Sequence, residues 1–188
     1  MKWKTIFILL VLAALGIGYW AGFQSFFSTG FTTLRQSNTI QTFFCPQDDC
    51  DEKLIQQILR AEESIDIAIY SFTLDSISNA LVAAQARGVS VRVLFDASQA
   101  SSEFSEDEKL QQAGIPIKRM DLKRGIMHNK FIVIDHQFVG TGSFNYSENA
   151  SRYNKENMLF IQNSAIAEQF EQNFELLLPV FLQFYQPQ

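Results

Sequence analysis

The sequence predicts an α/β sandwich, a mixed β-sheet flanked by helices. Three observations point there. Short apolar runs rich in β-branched residues alternate with longer amphipathic runs, the pattern of strands interleaved with helices. Two of the helical runs are followed by Gly88 and Gly114, residues suited to the left-handed turn that closes a helix. A hydrophobic content of 47% with 18 Phe supports a real core in a chain of 188 residues, enough for one domain and an extension.

The elements follow in order. Residues 40–44 read as a first strand. Residues 52–63 put Leu54, Ile55, Ile58 and Leu59 on one helical face, with Asp51 as the cap. Residues 64–72 alternate into a strand, 75–87 form a second helix, and 89–95 a further strand. The Ser- and acid-rich stretch between Ala97 and Asp107 reads as a loop. A third helix covers 106–113, with a short strand at 115–118. Three more strands are expected at 128–135, 138–142 and 157–162. A closing helix at 166–184 carries Phe170, Phe174 and Leu177 as a core-facing stripe. There is no internal repeat and no low-complexity segment.

The N-terminus carries its own signal. Lys2 and Lys4 precede an uncharged run from Ile6 to Phe23 of 18 residues. That is long for the apolar part of a signal peptide and just long enough to span a bilayer. Tyr19, Trp20 and Phe23 suit the far interface, and the lysines hold the N-terminus inside. Residues 1–23 are therefore expected to be a signal anchor, with a cleaved signal peptide as the rival. Residues 24–38 read as a tether and 39–188 as the domain. The domain would lie outside the cytoplasm, membrane-anchored or secreted, in the periplasm or the extracellular space. Cys45 and Cys50 fit that compartment, where they could close a small disulfide ring; two free thiols are the alternative. A zinc site needs about four ligands, and of the two Cys and two His one His is committed elsewhere, so no zinc site is expected. No cofactor and no metal is expected.

Net charge is −5, which by itself argues against a nucleic-acid binder. The distribution is uneven. Residues 115–155 hold seven basic and three acidic side chains, +4, against eight basic and seventeen acidic elsewhere, −9. A basic rim of that kind suits a polyanionic or anionic-lipid substrate. Scattered surface charge is the plainer reading.

Inside that region stand His128, Lys130 and Asp135, in a His-x-Lys-x-x-x-x-Asp pattern. With two His, eight Lys and nine Asp in the chain, chance placement gives about 0.004 expected matches. On a strand His128 and Lys130 point to one side, roughly 7 Å apart. An imidazole nucleophile and a fixed positive charge then share one phosphate-sized spot. Gly140-Thr141-Gly142-Ser143-Phe144-Asn145 and Asn154-Lys155-Glu156-Asn157 follow. Here the chain resembles the phospholipase D superfamily, marked by an HxKxxxxD motif and a GSxN-type element. It is most similar to the small, single-motif branch that includes a bacterial endonuclease and the mitochondrial cardiolipin hydrolase group. The resemblance runs from about Thr39 to Phe181 and implies a phospholipase D-like sandwich.

The site residues take roles on that basis. His128 is the candidate nucleophile, and the resemblance implies a phosphohistidine intermediate. Lys130 would neutralise non-bridging phosphate oxygens, although a strand lysine can also be an edge-protecting charge. Ser143 and Asn145 alternate onto one face and supply neutral donors to the same oxygens. Glu156 is placed on the far nitrogen of His128, to fix its tautomer and stabilise the imidazolium. Asp135 completes the catalytic motif. Alternation puts it on the opposite strand face, so it reads as structural, satisfying backbone donors or bridging to a partner subunit. His136 reads as an ordinary turn residue.

Transfer through a histidine needs a second group to protonate the leaving oxygen, and His suits that task best. Most members of the superfamily carry two motifs in one chain; this one carries a single copy. The resemblance therefore implies a two-fold homodimer in which both His128 side chains share one active site. One His128 would be the neutral nucleophile and the other the protonated acid, titrating as a coupled pair. The expected activity is a metal-independent phosphodiesterase that cleaves DNA or RNA, an exported or membrane-anchored endonuclease. The alternative substrate is phosphatidyl lipid, phosphatidylcholine or cardiolipin, presented by the N-terminal membrane segment. A non-catalytic binding module is the reading from another class.

Overall fold

The computed structural model describes residues 38–178. The expected bilayer span at 6–23 and the tether up to residue 37 lie outside the described residues. Among the described residues no helix is long and apolar enough to cross a membrane.

Seven strands form one sheet: β1 (Thr39–Cys45), β2 (Ser64–Ile69), β3 (Ser90–Asp96), β4 (Ile117–Met120), β5 (Lys130–Ile134), β6 (Phe138–Gly142) and β7 (Glu156–Gln162). Their order is β1-β7-β6-β5-β2-β3-β4. Pairs β2–β3 and β3–β4 are parallel and the rest antiparallel, so the sheet is mixed, as expected. The parallel half needs crossover helices. Helix α2 (Asp75–Ala86) joins β2 to β3, while α1 (Cys50–Arg60) leads from β1 into β2. Short α3 (Ala97–Ala100) and α4 (Asp107–Gln112) lie between β3 and β4, α5 (Glu148–Arg152) precedes β7, and α6 (Ser164–Leu177) closes the described chain.

Burial sorts the residues by face. Ile65, Ile67, Ile69, Phe95 and Ile132 pack with Leu54, Ile58, Ile77 and Leu81 of α1 and α2. Ala68, Leu94, Phe131, Val133 and Val139 pack with Ala167 and Phe174 of α6 on the other face. Central strands β2 and β5 are buried on both faces, which is why they read as nearly unbroken apolar runs. The polar exception in β2 is Asp66, which takes Arg92 Nε at 2.7 Å and Nη2 at 2.6 Å. The Phe stripe of the closing helix packs as expected: Phe174 is buried and the Phe170 ring meets Phe131 edge-on at 5.1 Å. The helix starts at Ser164, two residues earlier than expected, because Asn163 Oδ1 caps it by accepting from Ile166 N at 3.0 Å.

Three local expectations change. Asp51 does not cap α1. The helix already begins at Cys50 and its N-cap is Asp49, in the left-handed region at φ 48°; Asp51 is buried and ion-paired with Arg152 at 3.1 Å. The stretch after Ala97 is not simply loop, because the Asp96 carboxylate accepts from Ser98 N at 3.0 Å and Gln99 N at 3.4 Å and nucleates α3. Helix α5 was not anticipated; five residues capped by Ser147 are too few to show a period.

Cys45 and Cys50 are joined in a disulfide, and both are buried. It ties the end of β1 to the first residue of α1. Loop-closure entropy for a ring of this size is worth about 2 kcal/mol. We therefore expect the Cys45→Ser/Cys50→Ser variant to lose about 2 kcal/mol of unfolding free energy in urea. An unchanged urea midpoint in the double variant would remove the disulfide from the account of stability.

Candidate active site

The register brings the chemistry-bearing residues to one end of the sheet. Ile69, the last residue of β2, pairs with Lys130, the first of β5. Gly142, the last of β6, pairs with Met158 of β7, and Cys45 of β1 pairs with Glu156. The starts of β5 and β7 and the ends of β1, β2 and β6 therefore share an edge.

His128 sits outside the strand, since β5 begins at Lys130, and it is exposed. Strand alternation therefore does not hold the pair together. Loop contacts do. Met127 N donates to the buried Asp96 carboxylate at 2.9 Å, anchoring the residue before His128 to the end of β3. Lys130 Nζ donates to the His128 carbonyl at 3.0 Å. The His128 ring meets Tyr70 edge-on at 4.5 Å. Burial pulls the Lys130 ammonium below the ordinary lysine value, and the nearby Glu156 carboxylate works the other way. The apolar bed is visible in the cleft beside it, where Lys130 shares the wall with Leu54, Ile132, Tyr146 and Met158. Burial also pushes the Tyr146 phenol well above the usual tyrosine value.

Glu156 accepts from the Ser143 hydroxyl and from Asn154 Nδ2 at 3.0 Å. Within this chain those two, with Lys130, are its neighbours, and no hydrogen bond joins it to His128 among the described residues. Ser143 lies just beyond β6, not within it. Its hydroxyl accepts from Asn157 N at 3.1 Å and its own amide donates to Asn157 O at 3.1 Å. Asn145 Oδ1 accepts from Ser71 N at 3.3 Å, which leaves the NH2 end of that amide as the group able to donate. Hydrogen bonds thus join Lys130 to His128 and Ser143 to Glu156, the Glu156 charge acts on Lys130, and Asn145 is tied to the segment after Tyr70.

Asp135 is elsewhere. It occupies a tight turn between β5 and β6 with φ 51°, followed by His136 at 56°, as a turn with two left-handed residues requires. Its carboxylate accepts from the amides of Glu62 at 3.0 Å, Glu63 at 2.7 Å and Ser64 at 2.9 Å. Three amides at one carboxylate hold it away from the reacting end, so its place in the motif is not a catalytic one within this chain. His136 is also a turn residue, with Nδ1 2.6 Å from Glu171 Oε1 and Nε2 3.3 Å from Ser64 Oγ.

The basic rim is narrower than the sequence suggests. Arg119 pairs with the buried Asp107 carboxylate, Nε to Oδ2 at 2.6 Å, and Arg152 with the buried Asp51. Long arginine side chains fold back onto buried acids that would otherwise be unpaired. Arg124 and Lys155 remain exposed near the motif residues in sequence.

Sequence reasoning missed Asp96, Asn157 and Tyr70. An acid at the end of an apolar strand followed by Ser98 was a capping signal for the first. Nothing local marks the other two, because their partners are remote in sequence.

Gly142 is a further requirement. At φ 153° a Cβ on it would run into the Asn157 carbonyl, the same oxygen that holds the Ser143 amide. Backbone on both sides leaves no room to yield. Gly142→Ala is expected to lower stability by about 2 kcal/mol or more and to displace Ser143. Thermal denaturation checks the first effect, and an unshifted melting temperature would show that β6 and β7 separate easily.

Comparison with known proteins agrees with this geometry. A family model described as "Cardiolipin synthase, PLD-like domain" matches residues 54–178. The chain is 43% identical over 141 residues to a phospholipase D of Rickettsia prowazekii (strain Madrid E), covering 75% of this chain and 68% of that one. It is 34% identical over 136 residues to a mitochondrial cardiolipin hydrolase of Xenopus tropicalis, covering 71% and 64%. The chain thus spans about two thirds of the length of these relatives. Among solved structures, Nuc from Salmonella typhimurium, a phospholipase D family member, superposes with a TM-score of 0.71 at 32% identity, over 75% of this chain and 94% of that one. NucT from Helicobacter pylori gives 0.69 at 28% identity, over 77% and 98%.

Proposed function

The chain belongs to the phospholipase D superfamily of phosphodiesterases, and from that premise we propose that it is a metal-independent endonuclease acting through a phosphohistidine on His128. The observation that supports the reading is the gathering of His128, Lys130, Glu156 and Ser143 at one end of the sheet: an imidazole, a partly desolvated cation and hydrogen-bonding groups together.

In the proposed reaction a neutral imidazole nitrogen of His128 attacks phosphorus. The N–P bond forms as the P–O bond to the leaving oxygen breaks, and that oxygen takes a proton from a protonated histidine. Lys130 offsets the charge on the non-bridging oxygens, with Ser143 and Asn145 as neutral donors. Water then attacks phosphorus, gives its proton to the second histidine, and the N–P bond breaks. The second histidine is His128 of a two-fold partner. His136 is unsuited to that role, because it is held in the turn by Glu171 and Ser64. A monomer that is fully active in sedimentation-velocity and activity assays at matched concentration would end the dimer proposal.

Two features support nucleic acid as substrate: the exposed Arg124 and Lys155, which remain in the basic segment after Arg119 and Arg152 pair with buried acids, and the likeness to the single-motif nuclease branch. The disulfide supports a domain working in an oxidising compartment outside the cytoplasm. The second reading is phospholipase D action on phosphatidyl lipid, favoured by the names of the Rickettsia and Xenopus relatives. The deciding experiment incubates the protein in excess EDTA with plasmid and single-stranded DNA, and in parallel with phosphatidylcholine and cardiolipin vesicles. Nicking of DNA that disappears in His128→Ala supports the endonuclease. Phosphatidic acid release without nicking assigns the lipid reaction instead.

A further inference from the structure

We propose that Tyr70 is a positioning residue of the site, an aromatic clamp that fixes His128 and Lys130 against each other. It touches three consecutive residues. Its ring meets the His128 ring at 4.5 Å with planes at 61°. Its backbone amide donates to the Asn129 carbonyl at 2.9 Å. Lys130 Nζ lies over its ring, 5.1 Å from the centroid. The inference rests on the catalytic reading above and extends it to a residue outside the motif.

The need for a clamp follows from the fold. His128 precedes β5, so no ladder hydrogen bond orients it, and it is exposed on an irregular approach. A nucleophile that wanders by an ångström loses much of its rate. Tyr70 is fixed where His128 is not, because it directly follows the buried β2 and its amide extends that strand's pairing with the motif segment by one residue. A tilted ring-to-ring contact favours one orientation of the imidazole. The negative π face attracts the ammonium.

The groups facing Lys130 are Glu156 from β7, His128 from its own approach, and Tyr70 from the end of β2. Burial disfavours the ammonium and Glu156 favours it; the Tyr70 face adds to the favourable side. Removing that face lets Lys130 lose its proton at lower pH. Among the described residues the Tyr70 hydroxyl has no hydrogen bond, so the ring is the working part.

The test uses bis(4-nitrophenyl) phosphate in EDTA, a diester that reports the chemistry whichever macromolecule is the substrate. Wild type, His128→Ala, Tyr70→Phe and Tyr70→Leu are compared for kcat, KM, pH profile and melting temperature. Tyr70→Phe is expected to keep turnover within about threefold, with its alkaline limb in place. Tyr70→Leu is expected to lose about 10- to 100-fold in kcat with a smaller change in KM. Its alkaline limb should move down by up to about one pH unit. Should the Leu variant lose its fold, Tyr70→Met makes the same comparison. A folded Leu or Met variant that matches Phe, or that loses turnover with its limb unmoved, overturns the clamp. Wild type without activity, or an active His128→Ala, overturns the catalytic reading itself and the clamp with it.

Discussion

His128→Ala is expected to lower phosphodiester turnover by at least about 10⁴-fold, with the fold intact. The size follows from the role. Without the imidazole no N–P bond forms, and water would have to displace the leaving oxygen directly. In the proposed dimer the substitution also removes the acid, since the same residue serves both functions. Removing several members of one catalytic unit costs little more than removing one, so the loss should not double. The side chain is exposed and its ring meets Tyr70 edge-on, so stability should change little. Two measurements check the expectation. Turnover is followed in EDTA alongside a melting curve. A rapid quench at alkaline pH with labelled substrate should trap phosphorylated protein in the wild type and none in the variant. Undiminished turnover in a folded His128→Ala would refute the mechanism.

Lys130→Met should separate activity from stability. Methionine keeps much of the apolar stem and deletes the ammonium. Loss of one charge-stabilising group at the phosphate is worth about 3–4 kcal/mol of barrier, or about 10² to 10³ in kcat. The stability effect should have the other sign. Burial holds the folded-state pKa of Lys130 below its ordinary value. The folded protein therefore binds this proton more weakly than the unfolded chain does. That penalty is present at neutral pH and fades as pH rises through the folded pKa. Lys130→Met removes it, so its melting temperature at pH 7 should equal or exceed that of wild type, despite the lost bond to the His128 carbonyl. The same sign governs activity: turnover that needs the charged form should fall on the alkaline side earlier than for a solvated lysine. A variant that is both inactive and clearly less stable would show that Lys130 is mainly structural.

Much of this was legible in the chain. Local periodicity is enough to place a strand, and the seven strands and the longer helices stand close to where alternation and amphipathicity put them. The motif residues are near neighbours in sequence, which keeps His128 and Lys130 close, but loop contacts rather than strand alternation set their geometry. Asp135 was expected to satisfy backbone donors, and its carboxylate does accept from the amides of Glu62, Glu63 and Ser64, though from the turn after β5 rather than from a strand face. The pairing of Cys45 with Cys50 spans five residues and was open to the same local argument.

The partners of the charged groups were not legible. Glu156 was expected on His128 and instead takes Ser143 and Asn154 within this chain. Asp51 was expected to cap a helix and instead lies buried against Arg152, about a hundred residues away. Two arginines counted toward a basic rim turned out to neutralise buried acids. These partners come from other elements: Glu156 opens β7 beside the end of β6, where Ser143 follows, Asp51 of α1 meets Arg152 of α5, and Asp107 of α4 meets Arg119 of β4. The sequence by itself determined the candidate residues of the site and which face of the regular strands and helices is apolar, because facing repeats every two or 3.6 residues. Tertiary structure alone decided what stands opposite them. Tyr70 meets His128, Asn129 and Lys130 across nearly sixty residues of chain only because β2 pairs antiparallel with β5, a non-local contact that no short-range pattern encodes.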